Sequence, residues 1–279
     1  MFIIMAFTPG DFLTPIKAQR DVSEAYIESL EQQFGLDEPF YVQYFLWLGN
    51  ALKLDLGYSW TYKVPVVELL GERIVATLLL AICTVIFAWS IAVVLGVLAA
   101  VKKGGVFDRI TSVMAYAALS IPEFFLGLVV VYFAARTGWF PTGGLTSIDH
   151  DFLPFHERML DIAKHLILPT FVLGVGYIGY IMRIMRSSFI DVMHAEYVKT
   201  ARAKGLKERV VLAKHVFRNA INPLISIFGM SFSYLLSGSL IVEIVMSYPG
   251  LGNLIYQALV REDQFVVLGA ILMLSLIHI

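Results

Sequence analysis

From residue 74 to residue 101 the chain runs 28 residues without a charge, and that stretch decides which solvent the protein folds in. A helix rises about 1.5 Å per residue, so the run is long enough to cross roughly 30 Å of hydrocarbon. It is not alone. Residues 110–135 hold 26 positions with Glu123 as the one charge, residues 219–242 hold 24 with none, and residues 166–182 add an uncharged run of 17. The last is at the short limit for a span and relies on His165 and Arg183 snorkelling to the headgroups. Composition agrees: 58% of residues are hydrophobic, 15% are charged, and the mean hydropathy is +0.75, which places the chain in the membrane class. The apolar pieces at residues 1–7 and 264–279 read as the last turns of a first helix and as a sixth helix that continues further. The lone cysteine, Cys83, lies in the first long run, where it forms no intrachain disulfide and reads as a small core residue.

A formal net charge of −1 conceals a strong polarity. Residues 102–109 carry three Lys/Arg against one acid, and residues 183–218 carry nine against three. On the other side, residues 8–73 hold five basic against ten acidic side chains, residues 136–165 three against four, and residues 243–263 one against three. Short loops rich in Lys and Arg stay in the cytoplasm. Residues 183–218 are therefore expected to be cytoplasmic and residues 8–73 extracytoplasmic. In the latter, Asp21 with Glu24 forms a capping box, Phe34-Gly35 ends that helix, and Pro39 starts another with Phe40, Tyr44, Trp47, Leu48 and Ala51 on one face, suited to the membrane interface.

The cationic stretch KTARAKGLKER at residues 199–209 sits inside the large basic loop. Charge alone is satisfied by a topology signal attracted to anionic lipid. A nucleic-acid reading fails, because no aromatic stacking positions alternate with the cations. The surrounding residues carry more than charge. Ser187 or Ser188 is placed to cap a helix whose apolar positions Phe189, Met193, Tyr197 and Ala201 recur every four residues, with Glu196, Lys199 and Arg202 off that stripe. Gly205 tolerates the left-handed conformation of a helix end, and Lys204 complements the helix dipole there. A second helix starts near Lys207 and runs through Val211, Leu212 and His215 towards Pro223. A connection of 36 residues is far longer than the roughly two to eight that joining two helices needs. Something is expected to dock on it.

The string EYVKTARAKGLKERVVLAKHVFRNAINPL resembles the cytoplasmic loop of binding-protein-dependent ABC importer permeases, in particular the oligopeptide and dipeptide branch. The general motif of that loop reads Glu-Ala-Ala, three residues, Gly, nine residues, Ile-x-Leu-Pro. Anchored on Gly205, the chain has Lys199, Thr200 and Ala201 in the first three places and His215, Phe217 and Arg218 in the last, so only Ala201 and Gly205 match strictly. The peptide branch is closer, with T-A-R-A-K-G-L and H-x-x-x-N-A. TPGD (8–11), FGLDEPFYVQY (34–44), LDLGYS (54–59), SIPEFFLG (120–127), GWFPTGG (138–144) and VEIVMSYPGLGNL (242–254) extend the resemblance along nearly the whole chain.

The resemblance implies an all-α membrane protein with the six-helix type I ABC importer permease fold, its first and last helices incomplete here, as a single transmembrane domain over 1–279. It implies an inner-membrane, multi-pass permease subunit for di- or oligopeptides in a bacterium or archaeon. The implied partners are a second homologous permease, two ABC ATPase subunits and an extracytoplasmic substrate-binding protein, with no nucleic acid. Nickel chelates, glutathione and sugars, carried by relatives of the branch, keep the cargo open. The loop becomes the ATPase-coupling element, with Glu196, Tyr197, Lys199, Thr200, Ala201, Arg202, Lys204, Gly205 and Leu206 as its contact set. Tyr197, Ala201, Gly205 and Leu206 would seat the lever, and Lys199, Arg202, Lys204 and Lys207 would surround it or meet lipid phosphate.

The chain contains no G-x-x-x-x-G-K-[ST], so ATP is expected to be used by the partner ATPases, with no cofactor bound by this chain. Glu123 is the one acid deep in a long apolar run, where an ionisable group is costly and marks a functional position by default. Pro122 beside it frees backbone carbonyls that are tolerated where they line a cavity. Ser120, Pro122 and Glu123 are therefore candidates for the translocation path, with Glu123 meeting a peptide amino group. A packing kink with a neutralised carboxyl, or a shallower span, explains the same residues. His150, Asp151, His156 and Glu157 are all of ligand type, but their spacing fits no metal motif and reads as a solvated loop. Gly174, Gly176 and Gly179 read as close helix contacts. Two other classes stay open on residues alone: a membrane-embedded enzyme built on Glu123 and the outer His/Asp cluster, and a proton-driven secondary transporter.

Overall fold

The computed structural model describes Ser23, residues 38–59 and residues 61–278. The apolar start at 1–7, the Asp21/Glu24 capping box and the Phe34-Gly35 helix end lie outside the described residues. Among the described residues the elements are helical apart from two short strands, β1 (Tyr58–Ser59) and β2 (Val64–Pro65), paired antiparallel with Tyr58 opposite Pro65.

Helix α1 (Phe40–Ala51) begins directly after Pro39, as the sequence predicts, and α2 (Val66–Val101) covers the first long apolar run and starts eight residues before it. The expected single span over 110–135 is instead two helices, α3 (Val106–Ser120) and α4 (Glu123–Thr137), bent by 95°. Proline explains the break: its ring drives the preceding residue out of the α region and it donates no N–H. Ile121 accordingly adopts φ −81°, ψ 121°, and Pro122 is the N-cap of α4. The run at 166–182 is the middle of a much longer helix, α5 (Phe155–Met193), of 39 residues. The apolar run at 219–242 divides into α9 (Asn222–Gly238) and α10 (Leu240–Val245), and α11 (Leu251–Val260) and α12 (Gln264–His278) close the described chain. Among the described residues, α2 and α5 are each long and apolar enough to cross a membrane, and the bent α3–α4 pair is a third span if taken as one.

The chain divides into two compact units, Met1–Thr77 with Pro249–Ile279, and Leu78–Tyr248. In the first, Leu56, Val66 and Leu70 pack with Leu251, Leu254 and Val266, and Trp47 and Ala51 of α1 join them. The remaining aromatics of α1, Phe40, Tyr41, Tyr44 and Phe45, stay exposed. Two buried polar ties fix this core: Ser59 Oγ donates to Asp263 Oδ2 at 2.6 Å, and the Leu251 N–H donates to Thr77 Oγ1 at 2.8 Å.

In the second unit, small residues let the helices approach closely. A Cβ added at Gly179 would stand 2.7 Å from the Ala115 carbonyl oxygen of α3, and one at Gly174 would stand 2.6 Å from the Phe87 ring. The core joins Ala88, Ala92 and Ala99 of α2 to Ile181, Met185 and Phe189 of α5, and continues into the residues after α5. At the start of α3, Asp108 accepts from Arg186 of α5 through both oxygens, Nε to Oδ1 at 2.5 Å and Nη2 to Oδ2 at 2.8 Å.

Candidate functional site

The first site is the element that follows α5. Ser187 and Ser188 do not cap a new helix: both lie inside α5, and Ser188 Oγ donates to the Ala220 carbonyl at 2.7 Å. That carbonyl needs an external donor because the Leu224 N–H, its regular helical partner, bonds Ile221 instead. The helix breaks at His194-Ala195, where Ala195 is extended (ψ 145°), and α6 (Glu196–Ala203) begins there. Lys204 ends α6, and Gly205 follows at φ +76°. Lys207 then caps α7 (Glu208–Val210), which passes into a π-helix, Val211–Phe217, and α8 (Arg218–Ala220). A π-helix of this length is rare and concentrates at functional positions.

The element has a rooted side and a free side. Val198 and Ala201 of α6 and Val211 and Val216 of the π-helix are buried in the core of the second unit. Ala201 therefore faces the protein's own interior, whereas Tyr197 is 46% exposed and Leu206 42%. Arg202 is occupied within the chain: it donates to Glu208 at 3.2 and 2.8 Å and to the Met193 carbonyl at 3.3 Å, tying α5, α6 and α7 together. Those bonds hold the Glu208 carboxyl below the usual carboxylate range. Lys199 pairs with Glu196 at 2.8 Å, and Thr200 Oγ1 donates to the Glu196 carbonyl at 3.0 Å. Among the described residues, Lys204 and Lys207 form no ion pair and stay exposed.

The second site is a cavity of about 600 Å³ whose wall includes Pro122, Glu123, Gly176, Tyr177, Tyr180 and Tyr234. The backbone explains how a carboxylate comes to stand there. Glu123 is the first residue of α4, where unpaired N–H groups and the helix dipole favour negative charge. Gly176 is its neighbour in the wall: a Cβ on that residue would stand 3.9 Å from Glu123 Oε1, an ordinary contact. The Tyr177 ring stacks with Tyr180 and Tyr234 at centroid distances of 6.2 and 6.1 Å, and its hydroxyl bonds Ser231. Ser120 is not in this wall; its hydroxyl donates back to the Tyr116 carbonyl at 2.9 Å. None of the residues of α6 and the turn after it lines the cavity. Sequence reasoning missed the tyrosines, although G-Y-I-G-Y at 176–180 sets two of them on adjacent turns beside the glycines.

Of the outer loop residues, His150 Nδ1 lies 2.8 Å from Asp161 Oδ2, while His156 is exposed beside Glu157 at 3.7 Å. Among the described residues no group of three or more His, Cys, Asp or Glu is arranged to hold a metal.

A family model described as the binding-protein-dependent transport system inner membrane component matches residues 92–279. The chain belongs to that family. The permease is 38% identical over 270 residues to the oligopeptide transport system permease protein AppB of Bacillus subtilis (strain 168), covering 96% of this chain and 84% of that one. It is 36% identical over 281 residues to a Brucella suis biovar 1 protein that carries a peptide-permease name, covering 99% and 86%. Among solved structures, the MetNI methionine ABC transporter in an inward-facing conformation matches with a TM-score of 0.56 at 19% identity, over 75% of this chain and 91% of that one. Together with the family match, that likeness establishes the fold of an all-α membrane permease. The protein is thus a multi-pass transmembrane permease subunit of a transport system that works with a substrate-binding protein and an ATPase.

Proposed function

We propose that this permease carries di- or oligopeptides inward and that its energy enters through the element around α6. One observation carries the reading: the element is rooted in the core by Val198 and Ala201 while Tyr197 and Leu206 stand exposed beside Lys204 and Lys207, which form no ion pair among the described residues. A shape fixed on one side and unpartnered on the other suits a lever gripped by a separate subunit. Peptide cargo is supported by the identity to AppB along almost the whole chain.

In this reading two ATPases close on ATP, the docked levers of this chain and a second homologous permease move with them, and the spans rearrange around the cargo. The chain supplies no ATP site. Tyr197, Gly205 and Leu206 form the contact, with Lys199, Thr200, Lys204 and Lys207 around it, while Glu196, Ala201 and Arg202 hold it in shape. Glu123, backed by Pro122 with Ser120 just outside the wall, stands on the path and meets the cationic amino group of the passing peptide. The extracytoplasmic face receives the loaded binding protein in the cytoplasmic membrane of a bacterium or archaeon.

The test is reconstitution of the permease with its second permease, ATPases and binding protein in liposomes, followed by uptake of a labelled tripeptide. The reading expects uptake that requires ATP and the binding protein and ignores an imposed proton gradient. Uptake that follows the proton gradient without ATP would refute it.

A further inference from the structure

Gly176, Tyr180, Arg183 and Ser187 are spaced four, three and four residues apart on α5, so they follow one another along a single helix face for about 16 Å. The upper part of this face belongs to the Glu123 cavity. The lower part lines a second cavity of about 390 Å³, with Ser112 and Tyr116 of α3 opposite, and Tyr180 is common to both.

Two arginines reach the second cavity, and their charges are not equivalent. Arg186 is neutralised by Asp108 through two hydrogen bonds, and Asp108 accepts a third from the Gly104 N–H at 2.8 Å. Arg183 has no carboxylate partner among the described residues; its guanidinium lies 4.4 Å from the centroid of the Tyr116 ring. A guanidinium laid on an aromatic face keeps its N–H edges available, and that edge matches a planar carboxylate in two parallel bonds. Hydroxyls of Ser187 and Tyr180 stand in the same wall as further donors, while Ser112 Oγ donates to Asp108 Oδ1 at 3.5 Å.

We propose that Arg183 is a carboxylate station on the cargo path, holding the free C-terminus of a short peptide whose ammonium end meets Glu123. The proposal rests on the peptide-permease reading and adds which peptides pass: zwitterionic ones with both ends free. Spacing supports it. Glu123 stands beside Gly176, and Arg183 lies seven residues further along α5, about 10 Å on the axis. An extended peptide covers about 3.3–3.6 Å per residue, so two to three residues bridge the stations. A lipid phosphate would offer Arg183 the same chemistry. The shared Tyr180 favours cargo, because it sets Arg183 and the Glu123 cavity on successive turns of one α5 face.

The experiment uses the complete transporter in liposomes, with trialanine and trialanine amide each loaded to saturation on the binding protein, and compares initial ATP-driven uptake rates. The wild-type transporter is expected to import the free acid about tenfold faster than the amide, the size of one charge-assisted hydrogen-bonded contact. Arg183→Gln should bring the acid-to-amide ratio close to one, and Arg183→Lys should restore part of it. Both results should be the same in phosphatidylcholine and in phosphatidylcholine with phosphatidylglycerol. A wild-type ratio near one overturns the proposal even if the Gln variant fails to assemble. So does a ratio that Arg183→Gln leaves unchanged, or an Arg183→Gln effect that falls equally on both peptides and only with phosphatidylglycerol, which assigns the cavity to lipid. If neither peptide enters through the wild-type transporter, the peptide-permease reading falls first and takes the station with it.

Discussion

Gly205 holds φ +76° and has nothing within 4 Å of where a Cβ would stand, so a side chain there costs only backbone conformation. For a β-branched residue in the left-handed region that cost is about 1–2 kcal/mol, less for Asn, whose side chain bonds locally. Gly205→Val is therefore expected to weaken retention of the ATPase on co-purification by roughly 5- to 30-fold, and Gly205→Asn by less. Asp108 and Arg186 respond differently, because their pair is mostly buried: removing Asp108 strands a cation. Asp108→Asn should cost about 2–3 kcal/mol, read as a lowered unfolding temperature in detergent, and Asp108→Asn with Arg186→Gln should recover part of that loss. Strictly additive losses would refute the coupling. The Arg202–Glu208 contact carries a pH signature. Since Glu208 titrates below its ordinary range in the folded protein, the contact is complete above that range and is lost as pH falls through the lowered value. Hydrogen-exchange protection across 196–208 should stay constant from pH 8 to pH 6 and fall on stronger acidification; a gain on acidification would contradict the pairing.

At the scale of elements, the α3–α5 contact depends on Gly179, where a Cβ would meet a backbone carbonyl rather than a flexible side chain. Gly179→Leu should force the helices apart at about 1–3 kcal/mol, visible as lower yield of folded protein, whereas Gly229→Leu, with open space around it, should be tolerated. Hydropathy made the spans legible, and Pro122 marked where one of them is interrupted. It could not show that α5 is 39 residues long. Charges at Glu157, Asp161 and Lys164 and again at Arg183 and Asp191 end the uncharged run, yet a helix leaving lipid keeps its hydrogen bonds in water and need not stop at the headgroups. The break at Ala195 was hidden for another reason. No Gly or Pro marks it, and Arg202 reaching back to the Met193 carbonyl helps fix the corner, a contact nine residues apart that no local pattern carries. The cavity was half legible: Glu123 stood out as an acid in an apolar run, while its tyrosines looked like any core aromatics until α5 and α9 packed.

For the whole molecule, the proposed function joins the parts into one sequence of events: a motor outside the membrane would grip the α6 element, and the apolar helices would rearrange around a cavity that holds a carboxylate. The cavity alone would suit several kinds of transporter. The central claim is the grip, and a crosslink tests it most directly. In the intact complex with Cys83→Ala, the single cysteine of Tyr197→Cys carries a photoreactive group. The account predicts an adduct with the ATPase subunit whose yield changes between nucleotide-free and ATP-bound states. Absence of any ATPase adduct in every nucleotide state, or modification of that cysteine by a membrane-impermeant reagent from outside intact cells, would contradict it.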